Sequence, residues 1–211
     1  MNAPQRPTIG LVGGIGSGKS TVAANFRDAG CVVCNSDELA RAALDDPAIR
    51  ATLAAWWGPS IVDPAGVREG KVDRSAVAKI VFTNLDERQR LEHLVHPWIE
   101  RARRAQFDAA PASTVALVID APLLLEVGLD SECDAVVFVD APAVERLRRV
   151  TENRNWHAEE LARREAAQWP LDRKRASADY VIRNEGTLSS LHAEADRVLK
   201  AILAEFRRKN A

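Results

Sequence analysis

The sequence predicts an α/β protein: a mainly parallel, five-stranded sheet wrapped by helices, with a helical insertion and a helical lid. Three observations carry that expectation. Short apolar runs alternate with helical patterns at the start of the chain. The alternation stops for some sixty residues near Leu44 and then resumes. A glycine-rich stretch joins the first apolar run to the first helical one.

"TIGLV" (Thr8 to Val12) is apolar, β-branched and closed by glycine, the signature of a buried strand. "KSTVAANFRDAG" reads as a helix ending at Gly30, with Val22 and Phe26 at helical spacing. "CVVC" is the second strand. Ser36 or Asp37 is a candidate N-cap of the next helix, "SDELARAAL". Within the insertion, "PAIRATLAAWWG" and "RSAVAKIVF" are helical. Leu91, Leu94, Val95, Trp98 and Ile99 form a stripe at i, i+3, i+4, i+7 and i+8. Pro97 falls inside that stripe and is expected to end or kink the helix near His96. Further strands are expected at "STVALVID" (113–120), "CDAVVFVD" (133–140) and "DYVIRN" (179–184). A polar helical pair with six arginines lies between the last two. A closing helix places Leu191, Ala195, Val198, Leu199, Ile202 and Phe206 on one face. The expected organisation is a core of residues 1–43, 111–150 and 178–211, an insertion over 44–110 and a lid over 151–177.

Composition limits the functional classes. The 29 basic and 30 acidic residues nearly cancel, which argues against a nucleic-acid binder. "MNAPQRPT" has no apolar signal core, and no stretch approaches the roughly 18 apolar residues of a membrane span. A cytoplasmic protein is expected. Cys31 and Cys34 form a CxxC, but no second pair completes a zinc site, so they read as residues of a buried strand.

Gly13 to Ser20, "GGIGSGKS", fits G-x-x-x-x-G-K-S/T. Glycines let the backbone wrap tightly so that successive N–H groups converge, and the following helix adds its own free N–H groups. The expected phosphate-binding set is Gly13, Gly14, Ile15, Gly16, Ser17, Gly18, Lys19, Ser20 and Thr21. Lys19 brings a full charge to the β- and γ-phosphates, and Ser20 a hydroxyl to Mg²⁺. The ligand is therefore ATP or a similar triphosphate.

Binding a triphosphate does not by itself decide the reaction. A GTPase would need N-K-x-D, which is absent; "DPAG" (Asp63 to Gly66) matches a switch pattern but lies after no clear strand. A small-molecule kinase fits the remaining features best. Asp37, just after the second strand, either accepts a proton from an attacking hydroxyl or caps its helix. Asp120 ends the third strand, either as a second Mg²⁺ ligand or as a turn acid. Glu126 either lines the same cleft or pairs with an arginine. Arg154, at the break between the two polar helices, is the expected lid arginine. His93 and His96 form an H-x-x-H without further ligands in range.

Five segments in order resemble the dephospho-coenzyme A kinase family: "IGLVGGIGSGKSTVA", "NSDELAR", "LVHP", "DAPLLLE" and "AAQWPLDRKRASADYVIRNEG". The resemblance implies transfer of the ATP γ-phosphate to the ribose 3′-hydroxyl of dephospho-coenzyme A. It implies Asp37 as base, the insertion as acceptor domain and Arg154 as lid arginine. It further implies acceptor contacts at Asp37, Arg41, His96, Pro122, Leu123 and Glu126. Lys174 and Arg175 match the basic pair before "ASAD". Two segments depart from the pattern. Asn35 stands where the family commonly has an aspartate, and "TENRNWHAEE" differs from R-D-x-x-S/T. The competing expectations are a kinase for another small hydroxyl acceptor and an ATP-binding switch that transfers nothing. No nucleic acid, membrane or obligate protein partner is expected.

Overall fold

The computed structural model describes residues 5–62 and 70–210, which form two compact units. One comprises the chain up to Asn35 together with the chain from Ala110 onward; the other is Ser36–Ala109, starting earlier than residue 44. The "DPAG" stretch lies outside the described residues.

The first unit is built on β1 (Thr8–Gly13), β2 (Val32–Asn35), β3 (Leu117–Asp120), β4 (Ala135–Asp140) and β5 (Tyr180–Arg183). The sheet order is β2-β3-β1-β4-β5 and every ladder is parallel. Strands buried on both faces need continuous apolar runs, and β4 (Ala135–Asp140) is buried at five consecutive positions. One face packs on α1 (Lys19–Asp28) and on α9 (Leu188–Lys209). Val22, Ala23, Phe26, Leu191, Ala195, Val198, Leu199 and Ile202 meet Ile9, Leu11, Val137, Val139 and Ile182 there. The alternate strand residues Val12, Ile119 and Phe138 are equally buried on the other face. β3 is shorter than "STVALVID", starting at Leu117. Cys31 and Cys34 are buried, and burial pushes the Cys31 thiol up to about 11, so it remains a protonated core residue.

Three further α-helices of this unit lie among the described residues. α6 (Ala143–Arg154) and α7 (Ala158–Glu165) form the polar pair, and α8 (Leu171–Ala176) precedes β5. Asn155 ends α6 in the left-handed conformation, with φ 54°.

The second unit is helical: α2 (Ser36–Ala43), α3 (Pro47–Trp57), α4 (Arg74–Thr83) and α5 (Leu85–Asp108). Its core joins Ala43, Ile49, Leu53, Ile61, Val77 and Val95, with Leu91, Leu94, Trp98 and Ile99 packed against them. The stripe on α5 is thus the buried one. Pro97 does not end this helix, which runs on to Asp108. Proline removes one N–H and crowds the carbonyl four residues back. The apolar contacts of Val95, Trp98 and Ile99 on either side of it hold the helix together.

Side-chain caps start three of these helices: Asp46 for α3, Asp73 for α4 and Asn84 for α5. Asp46 does more than cap. Its Oδ2 accepts the Trp98 indole N–H at 2.9 Å, while Oδ1 accepts the N–H groups of Ala48 and Ile49. The Trp98 bond, then the backbone bonds, hold its carboxyl below the usual range. A depressed pKa contributes stability that is complete above the unfolded value of about 3.9 and is lost as pH falls through the lower folded value. Asparagine at this position would keep the cap without the titration, so Asp46→Asn should lose less stability than wild type between neutral pH and pH 3 in urea melts. Equal losses would exclude this role.

Candidate active site

β1 ends at the centre of the sheet, between β3 and β4, so the chain after Gly13 emerges at the carboxyl edge where α/β folds bind ligands. The next residues turn tightly: Ser17 N–H bonds the Gly14 carbonyl at 3.0 Å, and Gly18 stands at the N-cap of α1. Gly16 and Gly18 have φ of 78° and 94°, where side chains are strained. A Cβ on Gly16 would lie 2.7 Å from the Arg146 carbonyl oxygen, and one on Gly18 would strike the Asn184 amide. The loop is therefore a bare-backbone cradle leading into the N-terminal turn of α1, the arrangement that binds phosphate. Ser20 and Thr21 lie in that first turn, with Ser20 exposed. The Ser17 side chain is buried beneath the loop, and its backbone N–H is held by the Gly14 carbonyl.

Lys19 reaches across the sheet edge to Asp120. Its ammonium pairs with Oδ1, and Oδ2 accepts the Asn35 side-chain amide at 3.0 Å. Asn35 and Asp120 are register partners on β2 and β3, so the contact follows from strand order. Asp120 is only 2 % exposed, and a carboxylate that deep needs charged and hydrogen-bonding partners. An aspartate at position 35 would set two carboxylates against each other there; asparagine donates a hydrogen bond instead. Ser20 and Asp120 offer oxygen donors, the chemistry a hard divalent cation requires, and both belong to the unit that carries the loop.

A second cluster lies behind the segment after β3. Lys174 is fully buried, and its ammonium donates to the Pro122 carbonyl (2.7 Å) and the Gln168 side chain (2.9 Å) and pairs with Glu126 Oε1 (2.9 Å). Glu126 Oε1 also accepts the Trp169 N–H at 2.8 Å. Glu126 thus pairs with a lysine, not with an arginine. Leu123 is half-buried in the same segment.

The arginines of α6 and α7 divide by partner. Arg148, Arg163 and Arg164 bond to glutamates on their own helices. Arg154 is exposed and sits over the Trp156 ring at 4.9 Å. Two others reach the phosphate loop. Arg146 pairs with Glu165 and contacts the Ile15 carbonyl at 3.4 Å; Arg149 contacts the carbonyls of Gly16 and Ser17, each at 3.3 Å.

Asp37 and Arg41 are exposed residues of α2, and His96 is an exposed residue of α5, all in the second unit. α2 already includes Ser36, so Asp37 lies inside the first turn rather than at the cap. Among the described residues, no helix is long and apolar enough to cross a membrane.

The phosphate loop is common to many nucleotide-binding proteins; the rest of the chain decides the family. The dephospho-CoA kinase family model matches residues 7–190. The chain belongs to this family. Dephospho-CoA kinases of Geobacillus kaustophilus and Corynebacterium glutamicum are 42 % and 40 % identical to it. These alignments cover 94 % and 93 % of this chain, and 96 % and 97 % of those proteins. A crystal structure from Thermus thermophilus is similar with a TM-score of 0.80 at 37 % identity, covering 95 % of this chain and 98 % of that one. The dephospho-CoA kinase of Campylobacter jejuni gives a TM-score of 0.70 at 23 % identity, over 95 % and 99 % of the two chains. At that identity it speaks for the fold alone. As a dephospho-CoA kinase, the chain is a phosphoryl-transferring enzyme.

Three residues at the site of this dephospho-CoA kinase were not legible in the sequence: Arg146, Arg149 and Asn184. A faint signal exists for the first two. They share a face of α6 with buried Val150, whose methyl group would lie 3.1 Å from a Cβ on Gly16. Asn184 carries no such signal, because only the β4–β5 pairing brings it beneath Ser17.

Proposed function

We propose that this chain transfers the γ-phosphoryl group of ATP to the ribose 3′-hydroxyl of dephospho-coenzyme A, giving coenzyme A and ADP. The supporting observation is that the family match runs through both compact units, not only through the phosphate loop. The hydroxyl oxygen forms the new P–O bond, the bond to the β-phosphate bridging oxygen breaks, and ADP leaves. Asp37 accepts the hydroxyl proton; its side chain is exposed and two residues along the chain from Asn35. Lys19 stabilises charge on the transferring group, and Arg154 closes over it from the lid, residues 151–177. The insertion, residues 44–110, is the acceptor domain, and the residues assigned to the acceptor are Asp37, Arg41, His96, Pro122, Leu123 and Glu126.

Ser20 and Asp120 would hold Mg²⁺. When bound, Mg²⁺ neutralises phosphate charge. The protein works in the cytoplasm, a compartment that keeps thiols such as those of Cys31, Cys34 and Cys133 reduced.

ADP release measured with ATP, Mg²⁺ and dephospho-coenzyme A tests this directly. Turnover should depend on the acceptor, and the product should carry its new phosphate on the 3′-oxygen. ATP binding without acceptor-dependent turnover would overturn the assignment, as would turnover confined to a different hydroxyl acceptor.

A further inference from the structure

The phosphate loop is held from its outer side. The carbonyls of Ile15, Gly16 and Ser17 all accept hydrogen bonds from side chains elsewhere in the chain. The shortest bond comes from Asn184, whose Nδ2 donates to the Ser17 carbonyl at 2.7 Å. Asn184 is itself 5 % exposed and fixed at both ends. Its backbone N–H bonds the Asp140 carbonyl at 2.7 Å, and its Oδ1 accepts Arg149 Nη2 at 3.2 Å. Arg149 also donates through Nη1 to the Gly16 and Ser17 carbonyls.

Peptide planarity turns this into a statement about the inner side. In a trans peptide the C=O and the following N–H point in opposite directions, and the described residues contain no cis bond. Carbonyls drawn outward at Ile15, Gly16 and Ser17 therefore send the N–H groups of Gly16, Ser17 and Gly18 the other way. Ser17 N–H closes the loop on Gly14, which leaves the N–H groups of Gly16 and Gly18 for an anion. The three acceptors of Arg149 here are neutral, so its charge adds to the positive field at the loop.

We propose that Asn184 and Arg149 are positioning residues for the phosphate donor, a clamp that sets the Gly16–Gly18 peptides in the phosphate-accepting orientation. The clamp rests on the reading of ATP as donor, but not on the identity of the acceptor. Asn184→Asp is the informative substitution. It keeps size and the acceptor for Arg149, but replaces the donor facing the Ser17 carbonyl with a carboxylate oxygen. Arg149→Met is the second variant, for use whether or not the first one folds.

Three quantities are measured on the whole chain: the Kd of Mg-ATP by calorimetry without acceptor, the KM of each substrate, and the melting temperature. Each variant should weaken ATP binding about tenfold. The KM for ATP should rise in step while that for dephospho-coenzyme A stays put, even where the buried carboxylate of Asn184→Asp lowers the melting temperature. The double variant should bind ATP little worse than the weaker single one, since both act on the same peptides. ATP binding within twofold of wild type in both variants overturns the clamp. So does a loss shared equally by both substrates and accompanied by a fall in melting temperature, which marks a merely structural role. If wild type binds ATP but ignores dephospho-coenzyme A, the acceptor assignment fails while the binding comparison still decides the clamp.

Discussion

Replacing Lys19 by alanine should cost about two to three orders of magnitude in turnover, the usual loss when one preorganised donor to a developing negative charge is removed. The ammonium lies at the carboxyl edge of the sheet, paired with Asp120 and adjacent to the cradle from Gly14 to Gly18. Phosphoryl transfer has a loose transition state with charge spread over its equatorial oxygens, so a lost cation is felt mainly in kcat. The substitution has a second effect. It leaves the Asp120 carboxylate buried with one partner fewer, and the melting temperature should fall with the activity. Lys19→Ala combined with Asp120→Asn checks the second effect: stability should return once the buried charge is removed, while activity stays low because the double variant also lacks the carboxylate assigned to Mg²⁺. Near-normal turnover in a folded Lys19→Ala protein would remove Lys19 from the chemistry.

The second large effect is expected from Asp37→Asn. A general base contributes about 10²–10⁴-fold, and asparagine cannot take the hydroxyl proton. The helix should tolerate the change, because Asp37 is an exposed first-turn residue of α2 and the helix already begins at Ser36. Turnover should fall by that factor while the Kd for Mg-ATP, whose cradle lies in the other unit, stays within about twofold of wild type. A variant that turns over normally would leave Asp37 as an ordinary acidic residue of the first helical turn, where it favours the positive end of the dipole.

The elements that could be read from the sequence are those whose own apolar pattern reports their burial, as a continuous run in a strand covered on both faces or as a stripe on a helix covered on one. β1, β4 and the stripes on α5 and α9 are of this kind, and their apolar residues form the cores of the two units. Pro97 does not end α5: local rules weigh one backbone bond, whereas the helix is held by side chains on both sides of it. The site divides in the same way. The loop from Gly13 to Thr21 is contiguous, so its pattern and its place between β1 and α1 can be read without knowing the fold. Its supports depend on neighbours that only strand order supplies: Asn35 meets Asp120 because β2 lies beside β3, and Asn184 meets Ser17 because β5 closes the other edge. Arg154 stands out in the sequence by its place at a helix break. The rotation of α6, set by the burial of Val150, turns Arg146 and Arg149 toward the loop, which their sequence positions do not announce.

The distances along the chain bear on how this protein is born. The motif that announces a phosphate site is complete once Thr21 has been synthesised, yet Lys19 waits 101 residues for Asp120 and Ser17 waits 167 for Asn184. A nascent chain emerging from the ribosome therefore displays "GGIGSGKS" long before the residues that support it have been made. Such long-range closures are slow to form. The loop gains its last support only when the final strand docks, and a triphosphate bound to the folded chain draws the equilibrium toward the finished sheet.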